Sequence, residues 1–226
     1  MLTRQVTRSH TWSPLALGCT RPAWQYDKAM SAEIFLWWLS LCTVSGLNLL
    51  AWSLSASALA RRQPALTAEV YAARRLQVIL SAGYVLGCAF RSALPVFDVP
   101  RICLFDTWLS SVIVGRSIAM LAELCFVTQW ALLLQEVSRE TGSRLGKTAS
   151  RALIPLIAVA EIFSWYSVLT TSNLGHVVEE TLWALTAALL IASLIAIWQR
   201  CHSALRPMLA IICVAGVAYI GYMFLV

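Results

Sequence analysis

The chain has 226 residues, of which 59% are hydrophobic and only 12% are charged. Soluble domains carry about 25% charged residues, so this composition excludes an ordinary soluble domain and predicts that the chain is embedded in a lipid bilayer. The formal net charge is +6, but the basic residues are spread over short segments between apolar runs and form no basic face with interleaved aromatics. We therefore predict no nucleic-acid partner.

Residues 1–29 form a basic leader that differs from the rest of the chain and has no acidic residue before Asp27. A segment poor in acid and containing Arg and Ser is typical of an organellar transit peptide. We prefer the alternative that translation begins at Met30, because basic residues beside a first span resist translocation. The sequence thus predicts a leader that is disordered or lies before the true start, followed by a single integral membrane helical domain over 30–226.

Six apolar runs follow the leader, and most reach the roughly 20 residues that a transmembrane helix needs. They predict an all-α polytopic transmembrane bundle of about six spans. The last run reaches Val226 without a polar flank, which leaves open a seventh, terminal span. The predicted spans are residues 34–60, 76–95, 108–134, 152–171, 176–198 and 207–226.

Lys and Arg are concentrated in alternate connections between these spans, namely those after the first, third and fifth. Short cytoplasmic loops are enriched in Lys and Arg, so these connections are predicted to lie inside and the N-terminus to be non-cytoplasmic. A bacterial inner membrane fits the loop charges, and the leader leaves an organellar membrane open. The basic residues concerned are Arg61, Arg62, Arg74, Arg75, Arg139, Arg144, Lys147, Arg151, Arg200 and Arg206.

Three ionisable side chains lie deep within the third and fourth spans: Arg116, Glu123 and Glu161. An ionised group near mid-bilayer costs at least ~2.5 kcal/mol, so these groups are expected to face protein or water and not lipid. Their spacing places Arg116 and Glu123 on one helix stripe. We predict a shared polar pocket for a proton, a cation or a lipid head group. The structural alternative is an Arg–Glu pair that fixes helix register beside a protonated Glu161.

A second cluster opens the fifth span, where His176 is followed by Glu179 and Glu180 at helical spacing. As an enzyme site, His176 would act as general base and Glu180 would orient it, with Asp98 or Asp106 as metal or acid partner. A metal needs three or four ligands, and His176, Glu179 and Asp98 make only a weak set, so no metal is predicted. The structural alternative places both glutamates at the positive end of the helix.

The connection over 91–106 is too apolar for a free loop and contains two prolines. We interpret it as a re-entrant or interface-lying segment that roofs the bundle. Arg91 and Arg101 would grip a phosphate or carboxylate through bidentate bonds. Ion pairs with Asp98 and Asp106 are the structural alternative.

No motif identifies a cofactor, and we predict none: the chain lacks G-x-S-x-G, H-E-x-x-H and C-x-x-C-H sequences. The leading hypothesis is a small transporter or ligand-binding membrane protein. Its polar cavity, walled by the third, fourth and fifth spans, takes a small polar or lipid-derived ligand. Arg91, Arg101 and Arg116 would attract the ligand's negative group, while Glu123 and Glu161 hold a proton. An intramembrane lipid-modifying enzyme and a structural or assembly subunit stay open as alternatives, and the oligomeric state is not determined.

Overall fold

The computed structural model describes residues 28–97, 102–105, 107–201 and 203–225. The described chain is helical apart from two short strands, β1 (Val96–Phe97) and β2 (Ile102–Cys103), which pair in antiparallel register. The leader predicted over 1–29 lies almost wholly outside the described residues. The helices are α1 (Lys28–Arg62), α2 (Ala68–Ala93), α3 (Val112–Glu140), α4 (Arg144–Thr170), α5 (Asn173–Ile197) and α6 (Arg206–Leu225).

Five of these helices, α1 to α5, are long and apolar enough to cross a membrane. Their outer surfaces are covered with large hydrophobic side chains such as Leu36, Leu47 and Ile162, each more than half exposed. A soluble protein buries such residues, whereas lipid solvates them. The helices thus fit a multi-pass membrane protein. The sixth helix, α6, is also apolar, while the full count of spans and the outside N-terminus stay predictions.

Helices α2 and α4 each begin eight residues earlier than their apolar runs predict. Helix α2 begins at Ala68 because the Thr67 side chain accepts a hydrogen bond from the Val70 N–H at 3.4 Å. Helix α4 begins at Arg144 because the Ser143 hydroxyl accepts from the Gly146 N–H at 3.2 Å. These N-caps extend each helix by about two turns into polar sequence that a hydropathy criterion assigns to a loop.

The close approach of α2 and α3 depends on Gly83 and Gly87, which are spaced four apart in α2. A Cβ atom at Gly87 would lie 2.5 Å from the Cβ of Ala122, and one at Gly83 would lie 2.6 Å from the Sγ of Cys125. Small residues at this spacing let two membrane helices pack backbone to backbone. The contact fixes the side of α2 that faces the bundle.

The apolar core lies among α3, α4 and α5, toward the end of the bundle where α3 joins α4. Leu134, Leu153, Ile157 and Ile197 are fully buried there. Their packing fixes the three helices relative to one another. The other halves of these helices therefore meet in a defined geometry, and the ionisable side chains lie in those halves.

The connection between α2 and α3 contains a short antiparallel strand pair, and the re-entrant or interface-lying placement expected over 91–106 stays a prediction. Helix α2 ends at Ala93, two residues before Pro95, because a residue preceding proline is disfavoured in helical conformation. The chain then forms β1 and β2, whose pairing joins Val96 to Cys103. Asp98, Arg101 and Asp106 fall outside the described residues.

Candidate functional site

Arg116 lies at the centre of a buried ionic cluster that joins three helices. Its side chain on α3 is only 7% exposed. The Nη2 atom donates to Oε1 of Glu179 on α5 at 2.7 Å and to Oε2 of Glu161 on α4 at 2.9 Å. Oε2 of Glu123, two turns further along α3, lies 3.8 Å from the same nitrogen. One guanidinium thus faces three carboxylates.

The connectivity of the bundle brings these residues together. Helices α4 and α5 are joined by only Thr171 and Ser172, and Thr171 adopts the left-handed conformation (φ 55°) that turns the chain. Glu161 and Glu179 lie about 14 and 9 Å from this turn, at ~1.5 Å per residue. The two carboxylates therefore reach similar depths on neighbouring antiparallel helices, where α3 presents Arg116.

The cluster has more acidic than basic groups. One carboxylate oxygen from each of Glu123, Glu161 and Glu179 lies within 4.8 Å of the others. Oε2 of Glu123 and Oε1 of Glu161 are buried and have no hydrogen-bond partner among the described residues. Like charges this close in a low-dielectric interior disfavour full ionisation. A proton on Glu123 would relieve the repulsion and supply the missing donor, so the cluster is suited to hold a proton.

Glu179 bridges Arg116 and His176 with its two oxygens. While Oε1 accepts from Arg116, Oε2 lies 3.2 Å from Nδ1 of His176, one turn earlier on α5. The rotation of α5 thus turns Glu179 toward the imidazole, and the orienting role of Glu180 in the enzyme hypothesis stays a prediction. Since Asp98 and Asp106 lie outside the described residues, the acid or metal half of the enzyme hypothesis stays a prediction.

Among the described residues, Glu123, Glu161 and Glu179 are the one set of three acidic, His or Cys ligand atoms close enough to share a metal ion. Arg116 lies among them, with Nη2 at 2.7–3.8 Å from an oxygen of each. The guanidinium therefore occupies the position that a metal ion shared by the three carboxylates would take. The donor set fits an internally paired cluster better than a divalent metal site.

A cavity of about 750 Å³ lies beside the cluster. Helices α2, α3, α5 and α6 form its walls, and α4 contributes only Leu153. This arrangement differs from the expected walls of the third, fourth and fifth spans, because Glu161 lies behind Arg116 and does not line the cavity. The lining includes Tyr84, Cys88 and Arg91 of α2, Arg116, Glu123, Phe126 and Trp130 of α3, His176, Glu179, Glu180 and Trp183 of α5, and Ile211, Ala215 and Tyr219 of α6.

The cavity is polar at one end and apolar along the rest of its length. Five charged or imidazole side chains of the lining lie within about two turns of the helix ends that face the β1–β2 connection, whereas Glu123 lies deeper, eleven residues into α3. The five are Arg91, Arg116, His176, Glu179 and Glu180. Aromatic rings line the body, where Tyr84 stacks on Phe126 at a centroid distance of 4.7 Å and Phe126 meets Trp130 edge-on at 6.2 Å. Sequence reasoning missed Tyr84 and Tyr219. A helical stripe over Ile212, Gly216 and Tyr219 was the only signal for the α6 wall.

No protein-family model, curated protein or solved structure matches this chain.

Proposed function

We propose that this protein is a small transporter or ligand-binding membrane protein whose cavity takes an organic cation with an apolar body. One observation carries the proposal: three carboxylates surround a single buried arginine at one end of a largely apolar cavity. The surplus negative charge favours a positively charged group there. The volume of about 750 Å³ is within the roughly 300–1,000 Å³ typical of small-molecule sites.

The ionic cluster favours a cation over the anion that the sequence suggested. Arg116 was expected to attract a negative group, but its Nη2 atom already donates to Glu161 and Glu179. An anion would have to displace one of these carboxylates and then lie beside the others. We therefore assign Arg116 an organising role and leave the anion-binding role to Arg91 and Arg101 as an untested expectation.

Glu123 is the carboxylate best placed to bind the ligand's charge. It lies farther from Arg116 than Glu161 or Glu179 does, and its side chain is 23% exposed and lines the cavity. Phe126 and Trp130, one and two turns further along α3, also line the cavity and supply aromatic surface for an apolar cation. A cation over an aromatic ring gains about 0.5–1 kcal/mol at an exposed site and about 2 kcal/mol or more when desolvated.

Proton binding and cation binding are expected to compete at Glu123. A cation that replaces the proton preserves the charge balance of the cluster, which would couple uptake of one to release of the other. Such exchange is the requirement for a proton-coupled transporter. Arg116, Glu161 and Glu179 lie close to Glu123. The other titratable groups that line the cavity with it are Tyr84, Cys88, Arg91, His176, Glu180 and Tyr219.

The test is equilibrium binding of tetraphenylphosphonium, a permanent cation with an apolar body, to purified protein in nanodiscs. Glu123→Gln should weaken binding about tenfold or more, because two unit charges about 6 Å apart attract by roughly 2–3 kcal/mol at an effective dielectric constant of ~20. Glu136→Gln is the matched control on the same helix, since Glu136 is an exposed partner of Arg74. Equal affinities for Glu123→Gln and the unmodified protein would refute the proposal.

A further inference from the structure

The helices around the cavity form an open ring. Each helix packs against the next along the chain, from α1 with α2 to α5 with α6. Helices α2 and α6 both line the cavity, yet within the described residues they do not form a packed pair. Backbone packing therefore does not seal the cavity wall between α2 and α6, and only side chains, among them Tyr84 and Tyr219, lie between these two helices.

The side chains of α6 at this gap in the backbone packing face the cavity and the outside at once. Ile211 lines the cavity although it is 70% exposed, and Ala215 and Tyr219 follow it at helical spacing with exposed side chains. Tyr84 stands on the α2 side. The edges of the gap are thus apolar or aromatic, so a hydrocarbon chain could lie between the cavity and the lipid tails without contacting a charged group.

The gap lies at a depth that lipid tails occupy. Ala215 is nine residues, or about 14 Å, from the start of α6, and Glu123 is eleven residues, or about 17 Å, from the start of α3. Both positions are near the middle of a hydrocarbon layer about 30 Å thick. A molecule crossing between α2 and α6 would meet lipid on one side and the acidic cluster on the other.

From this arrangement, and resting on the proposed cation site, we infer that the natural ligand is a membrane-dissolved amphipathic amine that enters sideways between α2 and α6. Its ammonium group lies at Glu123, and its single hydrocarbon chain extends through the gap into the bilayer. Charge complementarity selects this occupant. A neutral helix or a second copy filling the gap would bring no positive charge to Glu123.

The experiment uses a hexadecyl quaternary ammonium with a photoreactive diazirine in the first third of its chain, added to the full-length protein in phosphatidylcholine nanodiscs. Peptides are mapped by mass spectrometry with and without excess tetraphenylphosphonium. Labelling of α2 and α6 beside the gap should fall at least severalfold with the competitor. Labelling of lipid-facing residues on α1 should not change, because it reports only chains in the bulk bilayer.

A matched pair of substitutions on α6 tests the gap itself. Ala215→Trp places a bulky ring in the opening, whereas Ala218→Trp makes the same change at an exposed position that does not line the cavity. The labelling that tetraphenylphosphonium reduces should be lost in the Ala215→Trp variant and kept in the Ala218→Trp variant. Both variants should elute as folded protein in size-exclusion chromatography. If the labels that tetraphenylphosphonium reduces map only to the β1–β2 connection, lateral access is overturned and the ligand enters from water.

The outcomes separate this inference from the proposed function. If tetraphenylphosphonium binding depends on Glu123 but no competed label maps to α2 or α6, the cation site stands and lateral access fails. Chemical cross-links between the α6 helices of two chains would overturn lateral access of a ligand and would place a second copy of the chain in the gap. If tetraphenylphosphonium binding does not depend on Glu123, the proposed function fails, and the substrate class proposed here fails with it.

Discussion

Arg116 on α3 and Glu161 on α4 form an ion pair at 2.9 Å in which both side chains are more than nine-tenths buried. The pair is 45 residues apart in sequence and links the two helices that hold most of the apolar core. It cannot be solvated by lipid, so each partner depends on the other for its burial.

Arg116→Met should strongly destabilise the protein, because it leaves Glu161, Glu179 and Glu123 buried without a positive partner. Breaking a buried pair costs about 3–5 kcal/mol. Arg74→Met is the control, since Arg74 and Glu136 form a pair with side chains 47% and 40% exposed, and such pairs contribute roughly 0–1 kcal/mol. Unfolding by SDS in mixed micelles measures both variants. A similar small loss in each would show that the buried cluster has no special structural role.

Glu179 and Glu180 are neighbours with different expected roles. Glu179→Gln weakens the contacts to Arg116 and His176, so it should lower the melting temperature measurably, by roughly 2–8 °C for a loss of 1–2 kcal/mol. Glu180→Gln should change the melting temperature little, since Glu180 is only partly buried and lines the cavity. A reversed order of the two melting temperatures would mean that α5 is rotated from the orientation described.

Gly87→Ala tests the packing of α2 on α3. The added Cβ would meet the Cβ of Ala122 at 2.5 Å, and overpacking of this kind costs about 1–3 kcal/mol. Ala122→Gly in the same chain should restore part of the loss. Gly46→Ala is the control on α1, where an added Cβ meets nothing within 4 Å and better helix propensity should leave stability equal or higher. Unfolding in mixed micelles compares the four proteins, and no rescue by Ala122→Gly would contradict the contact.

The affinity for tetraphenylphosphonium should fall as the pH is lowered. This ligand keeps its charge at every pH, so any pH dependence belongs to the protein. Protonation removes the negative charge that binds the cation, and protons therefore compete with the ligand. Glu123→Gln should weaken binding and also flatten the pH dependence of the affinity. Dissociation constants measured across a pH series test both effects. Affinity that rises toward acid pH would have the wrong sign for a carboxylate site.

Part of the ionic cluster could be predicted from the sequence, because placing a charged side chain in lipid costs free energy. Arg116, Glu123 and Glu161 cannot face lipid, so the interior was the one place available to them, and the structure brings them together. Glu179 could not be distinguished from Glu180 as the partner of His176, because spacings of three and four both place a carboxylate near an imidazole. The rotation of α5 in the bundle decides between them, and contacts with α3 and α4 set that rotation.

Helix boundaries and cavity walls were less predictable for different reasons. Helix α4 begins at Arg144 through a cap at Ser143, which a hydropathy criterion does not detect. The contribution of α2 and α6 to the cavity depends on packing between helices far apart in sequence. No local pattern around Tyr84 or Tyr219 determines whether a helix faces a neighbour, a cavity or lipid.

The most direct measurement compares tetraphenylphosphonium with tetraphenylborate, which has nearly the same shape and the opposite charge, on the unmodified protein and on Glu123→Gln. The account predicts that only the cation shows saturable binding and that the substitution weakens it about tenfold or more. Tighter binding of the anion, or equal cation affinity in the two proteins, would contradict the claim that the carboxylates around Arg116 form a cation site.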